Sequence, residues 1–172
     1  MSHMLDQAGV ATIAGFSLGG AAAGGIGMGR QVSVATALPP ADTVSRDIFS
    51  IDGGRVLVTG LLGEVTVAIP AASIDFDLAF DPDNGGTNVA LATALVCDSD
   101  VAGTYYTLND TFGGALVTST ANSLLNATLE EPFMLGAGDI VWTTTGGGLI
   151  GTSARVKWDL WYVPLDDGAV VT

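Results

Sequence analysis

The 172-residue chain is expected to fold as an all-β protein, a jelly-roll-like β-sandwich or barrel of about eight strands, with an extended Gly/Ala-rich N-terminal arm. Three observations carry this. From Asp47 onward, short runs rich in Val, Ile, Thr, Phe, Tyr and Trp are separated by Gly-, Asn- and Asp-rich turns. No stretch has the apolar spacing of an amphipathic helix. Strands do not alternate with helices, which disfavours a nucleotide-binding α/β fold.

The strands follow in order. Arg55–Ile69 reads as one long strand, or two bent at Gly60 or Gly63, where a bulge fits. In Ser73–Asp81, Ile74, Phe76, Leu78 and Phe80 share one face, while Asp75, Asp77, Ala79 and Asp81 share the other. That is a half-buried strand with an acidic outer face. Asp81–Asn88 (DPDNGGTN) is a turn. Val89–Cys97 follows as a strand, although its Ala-rich text also suits a short helix. A turn over Asp98–Gly103, a strand over Thr104–Asn109, and strands over Ala115–Thr118, Thr128–Leu135, Asp139–Thr145 and Ser153–Val163 complete the domain. Pro164–Thr172 reads as a short tail. In the Ser153–Val163 strand, Val156, Trp158, Leu160 and Tyr162 form the core face. Arg155, Lys157, Asp159, Trp161 and Val163 form the other face.

Composition narrows the function classes. Eighteen Asp+Glu against five Lys+Arg give a net charge of −13, which argues against binding a nucleic-acid backbone. Hydrophobic residues make up 48% and charged residues only 13%, so part of the surface is expected to be covered by other protein chains. One Cys (Cys97) excludes a disulfide framework within the chain and a Cys-rich zinc site, and one His (His3) removes most His-based catalysis. No cofactor and no enzymatic activity are expected.

Charge and composition both shift near residues 39–46. The first 45 residues carry a net charge of −1 and the remainder −12. Ala8–Gly29 is uncharged and dominated by Gly and Ala, and Pro39–Pro40 forces extended backbone. The chain is therefore divided into an arm, residues 1–45, and a β-domain, residues 46–172. The uncharged run has transmembrane length and several GxxxG spacings, but few large apolar residues and no flanking Lys/Arg cluster. A segment local to the domain is a further alternative. An arm lying on a partner protein is favoured, because small residues permit close backbone approach. Its contact residues are expected to be Val10, Ile13, Phe16, Leu18, Ile26, Met28 and Arg30.

Motifs that resemble chemistry are weak. Asp81 and Asp83 occupy the first and third positions of a calcium-loop pattern, but the twelfth is Ala92, where a bidentate Glu is needed, so a tight turn is the better reading. Paired acids (Asp75/Asp77, Asp98/Asp100, Glu130/Glu131, Asp166/Asp167) sit in turns or on polar strand faces, where solvated carboxylates are the default. Cys97 ends an apolar strand and reads as a buried small hydrophobe. Val56–Leu62 is apolar on both faces, and Trp161 and Val163 sit beside Arg155 and Lys157. Leu57, Leu61, Trp161 and Val163 are accordingly the candidate inter-subunit contacts.

The strings GGRVLVTGLLGEVTVAI, DNGGTNVALATAL, GTYYTLNDTFGGALVTST and VKWDLWYVPLDDGAVV, across roughly Arg46–Thr172, resemble small virion proteins of tailed bacteriophages. Such proteins resemble capsid decoration (cement) proteins. The resemblance implies a homotrimer on the capsid exterior, bound to the major capsid protein, with no membrane or nucleic-acid partner and no catalytic residues. The rival expectations are another virion part (head fibre, tail protein or host-binding domain) and a carbohydrate-binding β-sandwich using Trp142 or Trp161.

Overall fold

The computed structural model describes residues 12–13, 16–17, 29–39, 44–71, 74–109, 113–119, 128–145 and 153–172. They form thirteen strands and, among the described residues, no helix. β1 (Thr12–Ile13) and β2 (Phe16–Ser17) pair with each other. β3 (Arg30–Ala37), β5 (Val56–Val67), β8 (Tyr105–Thr107), β9 (Val117–Ser119), β10 (Thr128–Leu135) and β12 (Arg155–Pro164) build a six-stranded sheet, here sheet I. Its order is β3-β12-β5-β8-β9, with β10 also pairing β5. β4 (Val44–Asp52), β6 (Asp75–Pro82), β7 (Val89–Val96), β11 (Gly138–Thr145) and β13 (Val170–Val171) build sheet II in the order β13-β4-β11-β6-β7.

All pairings between these strands are antiparallel. When β3, β4, β5, β6, β7, β10, β11 and β12 are taken as eight successive strands, sheet I holds the first, eighth, third and sixth. Sheet II holds the second, seventh, fourth and fifth. This is the jelly-roll wrapping of a two-sheet sandwich. The sheets do not close into a barrel, so of the two forms expected the sandwich is the one adopted.

Alternation decides which side chains enter the core. Ile74, Phe76, Leu78 and Phe80 point inward from the β6 region, and Val156, Trp158, Leu160 and Tyr162 do so from β12. At the centre, the Phe76 ring meets Tyr106, Trp142 and Trp158 edge-on, with centroids 4.8, 5.9 and 6.4 Å away. Sheet I supplies Tyr106 and Trp158 and sheet II supplies Phe76 and Trp142, so this cluster joins the two layers. Each such side chain contributes roughly 1.5–3 kcal/mol through burial.

β5 contains the expected bulge. Trp161 pairs with Gly60 and Tyr162 with Val58, which leaves Thr59 as an extra residue on β5. The inserted residue reverses the alternation. Val56 and Val58 point inward before it, and Leu61 and Val65 after it. Further along β5, Gly63 lies beneath Trp158. A Cβ there would sit 2.7–2.9 Å from three atoms of the indole benzo ring, so only glycine fits.

The division at residue 45 does not match the sheet. Residues 30–37, expected in the arm, form β3 and pair with β12 over their whole length without a register shift. Val32 and Val34 are partly buried against the core. From β4, the Arg46 guanidinium donates to the Ala37 carbonyl at 3.1 Å and to Thr36 Oγ1 at 3.4 Å, tying the end of β3 to sheet II. The chain enters β3 through Gly29, whose φ of +90° and close approach to the Tyr162 carbonyl leave no room for a side chain. The expected tail also contributes a strand, β13, against β4, and Thr172 and Ser50 exchange backbone hydrogen bonds of 2.9 Å.

Candidate protein interface

The two outer faces of the sandwich differ in chemistry. On sheet II, the outward positions include Asp47, Asp75, Asp77, Asp81 and Asp139. Asp139 lies directly opposite both Asp81 and Ser50. Like charges facing each other across a ladder are unfavourable. The Ser50 hydroxyl, donating to Asp139 Oδ1 at 2.5 Å, offsets part of that cost. Desolvation holds the Asp77 carboxyl above its ordinary range, against the Thr143 hydroxyl, which draws it back down.

On sheet I, the outward positions form one apolar row and two mixed rows across the strands. Val163 of β12, Leu57 of β5 and Met134 of β10 are in direct register. A second row runs Ser33, Asp159, Leu62, Thr107 and Val117 across five strands. A third runs Ala35, Lys157, Glu64, Tyr105 and Ser119. Met134 is 55% exposed and Val117 40%, while Leu57, Leu62, Tyr105, Trp161 and Val163 are half-buried. The Val163–Leu57–Met134 row, with Trp161 beside it on β12, is an apolar strip on an otherwise mixed face, a composition that suits a protein interface.

One carboxylate sits within this face. Asp159 is almost completely buried and accepts hydrogen bonds from Gln31 Nε2 at 3.0 Å, from Ser33 Oγ, and from Lys157 Nζ at 3.0 Å. Two of its three donors belong to β3, so Asp159 clamps that edge strand onto β12. It is a positioning group, satisfied within its own sheet.

The sequence-derived candidates are placed unequally. Leu57, Trp161 and Val163 lie together on the outer face of sheet I. Leu61 does not: the Thr59 bulge turns it inward, where it is 1% exposed. Leu62 occupies the outward position instead, and Met134, Tyr105 and Val117 join the face from strands where the sequence offered no amphipathic contrast. Arg30 opens β3 opposite Tyr162, within the sandwich rather than in an arm. Val10, Leu18, Ile26 and Met28 lie outside the described residues. Ile13 and Phe16 are described only as backbone of the β1–β2 hairpin. Trp142, named for glycan binding, is fully buried.

Other motifs resolve as structure. In DPDNGG, Gly85 adopts φ +73° and the Gly86 N–H donates to Asn84 Oδ1 at 2.9 Å, so the Asn side chain closes the turn. Cys97 is buried and its thiol donates to the Ile74 carbonyl at 3.2 Å. Burial first, then the Asp100 and Asp75 carboxylates, pushes its pKa up to about 12. The buried Tyr106 hydroxyl donates to Asp100, whose carboxyl desolvation raises above its ordinary range. Among the described residues, no group of three or more His, Cys, Asp or Glu side chains is arranged to hold a metal ion. No helix among them is long and apolar enough to cross a membrane.

No family model and no curated protein matches the chain. Among solved structures, a chain in the structure of infectious bursal disease virus, Gx strain, aligns at 15% identity with a TM-score of 0.25. The alignment covers 83% of this chain and 38% of that one. A likeness at this level carries no argument about function.

Proposed function

We propose that this chain is a virion structural protein of the capsid-decoration type, bound to the major capsid protein on the exterior of a bacteriophage head and without catalytic activity. The observation that carries the reading is the difference between the two outer faces: carboxylates over sheet II, and on sheet I an apolar strip of Val163, Leu57 and Met134 with Trp161 beside it. The first face suits a surface in water, where negative charge favours solubility. The second suits a surface laid on another protein. A jelly roll is a fold that capsid proteins, lectins and cupins share, so the wrapping alone does not choose among them. The resemblance in sequence to small phage virion proteins favours the first. The uncharged Gly/Ala-rich segment before Gly29 would add contact area on the capsid.

The test is binding to capsids stripped of decoration, with truncation after residue 28, since a chain beginning at Gly29 keeps all eleven sandwich strands. The wild-type chain is expected to bind, and Leu57→Glu and Met134→Glu to bind at least tenfold more weakly while folding normally. Full binding by both variants and by the truncated chain would refute the reading. The glycan alternative has lost Trp142 to the core and rests on Trp161 alone.

A further inference from the structure

A sheet edge exposes unpaired backbone donors and acceptors, and proteins protect such edges by shortness, charge, proline, bulges or covering loops. The edges of this sandwich can be compared strand by strand. β13 has two residues and β9 has three. β10 contains Glu131 and Pro132 and has a register shift against β5. β7 has two register shifts against β6, and its outer flank is covered by residues 113–115 through Thr93 N–H to Gly114 O (3.0 Å) and Gly113 N–H to Leu91 O (3.3 Å).

Among the described residues β3 is the least protected edge, guarded only at its two ends, where Arg30 opens it and the Arg46 guanidinium takes the Ala37 carbonyl. It is eight residues long, contains no proline, and pairs with β12 without a bulge. Arg30, at its first position, is its one charge. Among the described residues no strand lies on its outer flank. On the core side, Val32 and Val34 are only partly covered, because the sheet ends there. On the outer face Gln31, Ser33 and Ala35 are small or neutral.

We propose that β3 pairs with β3 of a second copy of this chain, antiparallel about a two-fold axis, joining two copies of sheet I into one continuous sheet. The strand is complementary to itself in this direction. Antiparallel pairing places the two Arg30 side chains at opposite ends of the joint, whereas parallel pairing would set them side by side. It also covers the partly exposed Val32 and Val34 with the same residues of the other copy. The interface is isologous and closes at two chains, in contrast to the homotrimer that the resemblance implies. The pairing rests on the sheet edge alone: a two-chain protein that fails to bind capsids would refute the virion role and leave this inference standing.

Sedimentation equilibrium of the unmodified full-length protein in reducing buffer is the first measurement, and twice the chain mass of 17.3 kDa is expected. A monomer or a trimer overturns the proposal. The second measurement uses the Gln31→Cys, Ser33→Cys and Ala35→Cys variants, oxidised singly and in pairwise mixtures, with Cys97 buried and out of reach. In antiparallel pairing the residue numbers of opposed positions have a constant sum. Disulfide-linked dimers should therefore form only in combinations sharing one sum. A position two residues from the axis is about 13 Å from its own copy, beyond the roughly 7 Å that a disulfide spans between Cα atoms. Cross-linking of every position with itself, or of no combination, refutes the antiparallel joint.

Discussion

Trp142 and Trp158 meet edge to face between the two sheets, with ring centroids 5.9 Å apart and planes at 85°. Both indole N–H groups are buried without a hydrogen-bond acceptor among the described residues. The two rings take the edge-to-face arrangement that aromatic pairs favour. Trp158 of this pair sits against Gly63, where the absence of a Cβ lets its benzo ring lie close on β5.

Gly63→Ala should therefore destabilise the fold by about 1–3 kcal/mol, the usual cost of overpacking a filled core. The clash is with benzo-ring atoms that phenylalanine does not place there. Trp158→Phe in the Gly63→Ala background should then cost less than in the wild-type background. Urea midpoints for the four proteins of this double-mutant cycle check the expectation, and strictly additive losses would contradict it.

Asp159 should matter for β3 more than for the sandwich as a whole. Asp159→Ala removes the carboxylate to which Gln31 and Ser33 donate and is expected to cost about 1.5–3 kcal/mol, the net worth of hydrogen bonds to a charged group. Asp159→Asn keeps an acceptor for β3 and loses mainly the attraction to Lys157. That side chain is 41% exposed, so the loss should stay within about 1 kcal/mol. Hydrogen exchange should rise first at residues 30–37 in the alanine variant. Equal acceleration in sheet II would contradict the clamp.

The Arg55–Asp166 pair gives a pH dependence with a defined sign. Asp166 accepts from Arg55 Nε at 2.8 Å, from a second guanidinium nitrogen at 2.7 Å and from the Arg55 backbone N–H at 2.8 Å. These bonds lower its pKa to about 2. A depressed carboxylate stabilises the folded state above its unfolded pKa of about 3.9 and loses that contribution as pH falls through the folded value. The difference in thermal midpoint between wild type and Asp166→Asn should be full at about pH 6 and mostly gone near pH 2. A difference that is constant with pH would show that the carboxylate charge is irrelevant.

Cys97 should be inert in the folded protein. Its thiol is buried and its pKa is raised to about 12, so almost no thiolate exists at neutral pH. Alkylation by iodoacetamide at about pH 8 should follow the urea unfolding curve. Rapid labelling without denaturant would mean that the Cys97–Asp100 turn opens locally.

The strands that the sequence exposed are those with one wet and one dry face. In β6, Asp alternates with Phe and Leu, and in β12 charged residues alternate with Trp, Leu and Tyr, so period two names the core side chains directly. The bulge near Gly60 was legible for a different reason: a glycine inside a strand marks a place where the ladder can bend or take an extra residue. What the bulge did to Leu61 was not legible, because Leu61 and Leu62 are chemically alike and only the Thr59 insertion decides which one points inward. β3 was missed because its neighbours are Gly/Ala text and a Pro pair, and composition outweighed the weak alternation of Val32, Val34 and Thr36. β13 carries only two paired residues, too few for any period. For the candidate interface, Leu57, Trp161 and Val163 were readable on their own strands. Met134, Tyr105 and Val117 join them only through cross-strand register, which is a long-range property.

The Gln31–Asp159 bond spans 128 residues of sequence, and this sets the order in which the molecule can be assembled on a ribosome. At about 5–20 residues per second, the polymerase of peptide bonds needs roughly 6–26 s after making β3 before its partner strand exists. The β6–β7 pair of sheet II and the β5–β8–β9 part of sheet I can form during that interval, while β4 waits for β11 and β3 waits for β12, which supplies the seam between β3 and β5. Until then β3 has two open flanks instead of one. The nascent chain is thus most open to its siblings at the strand least equipped to refuse them.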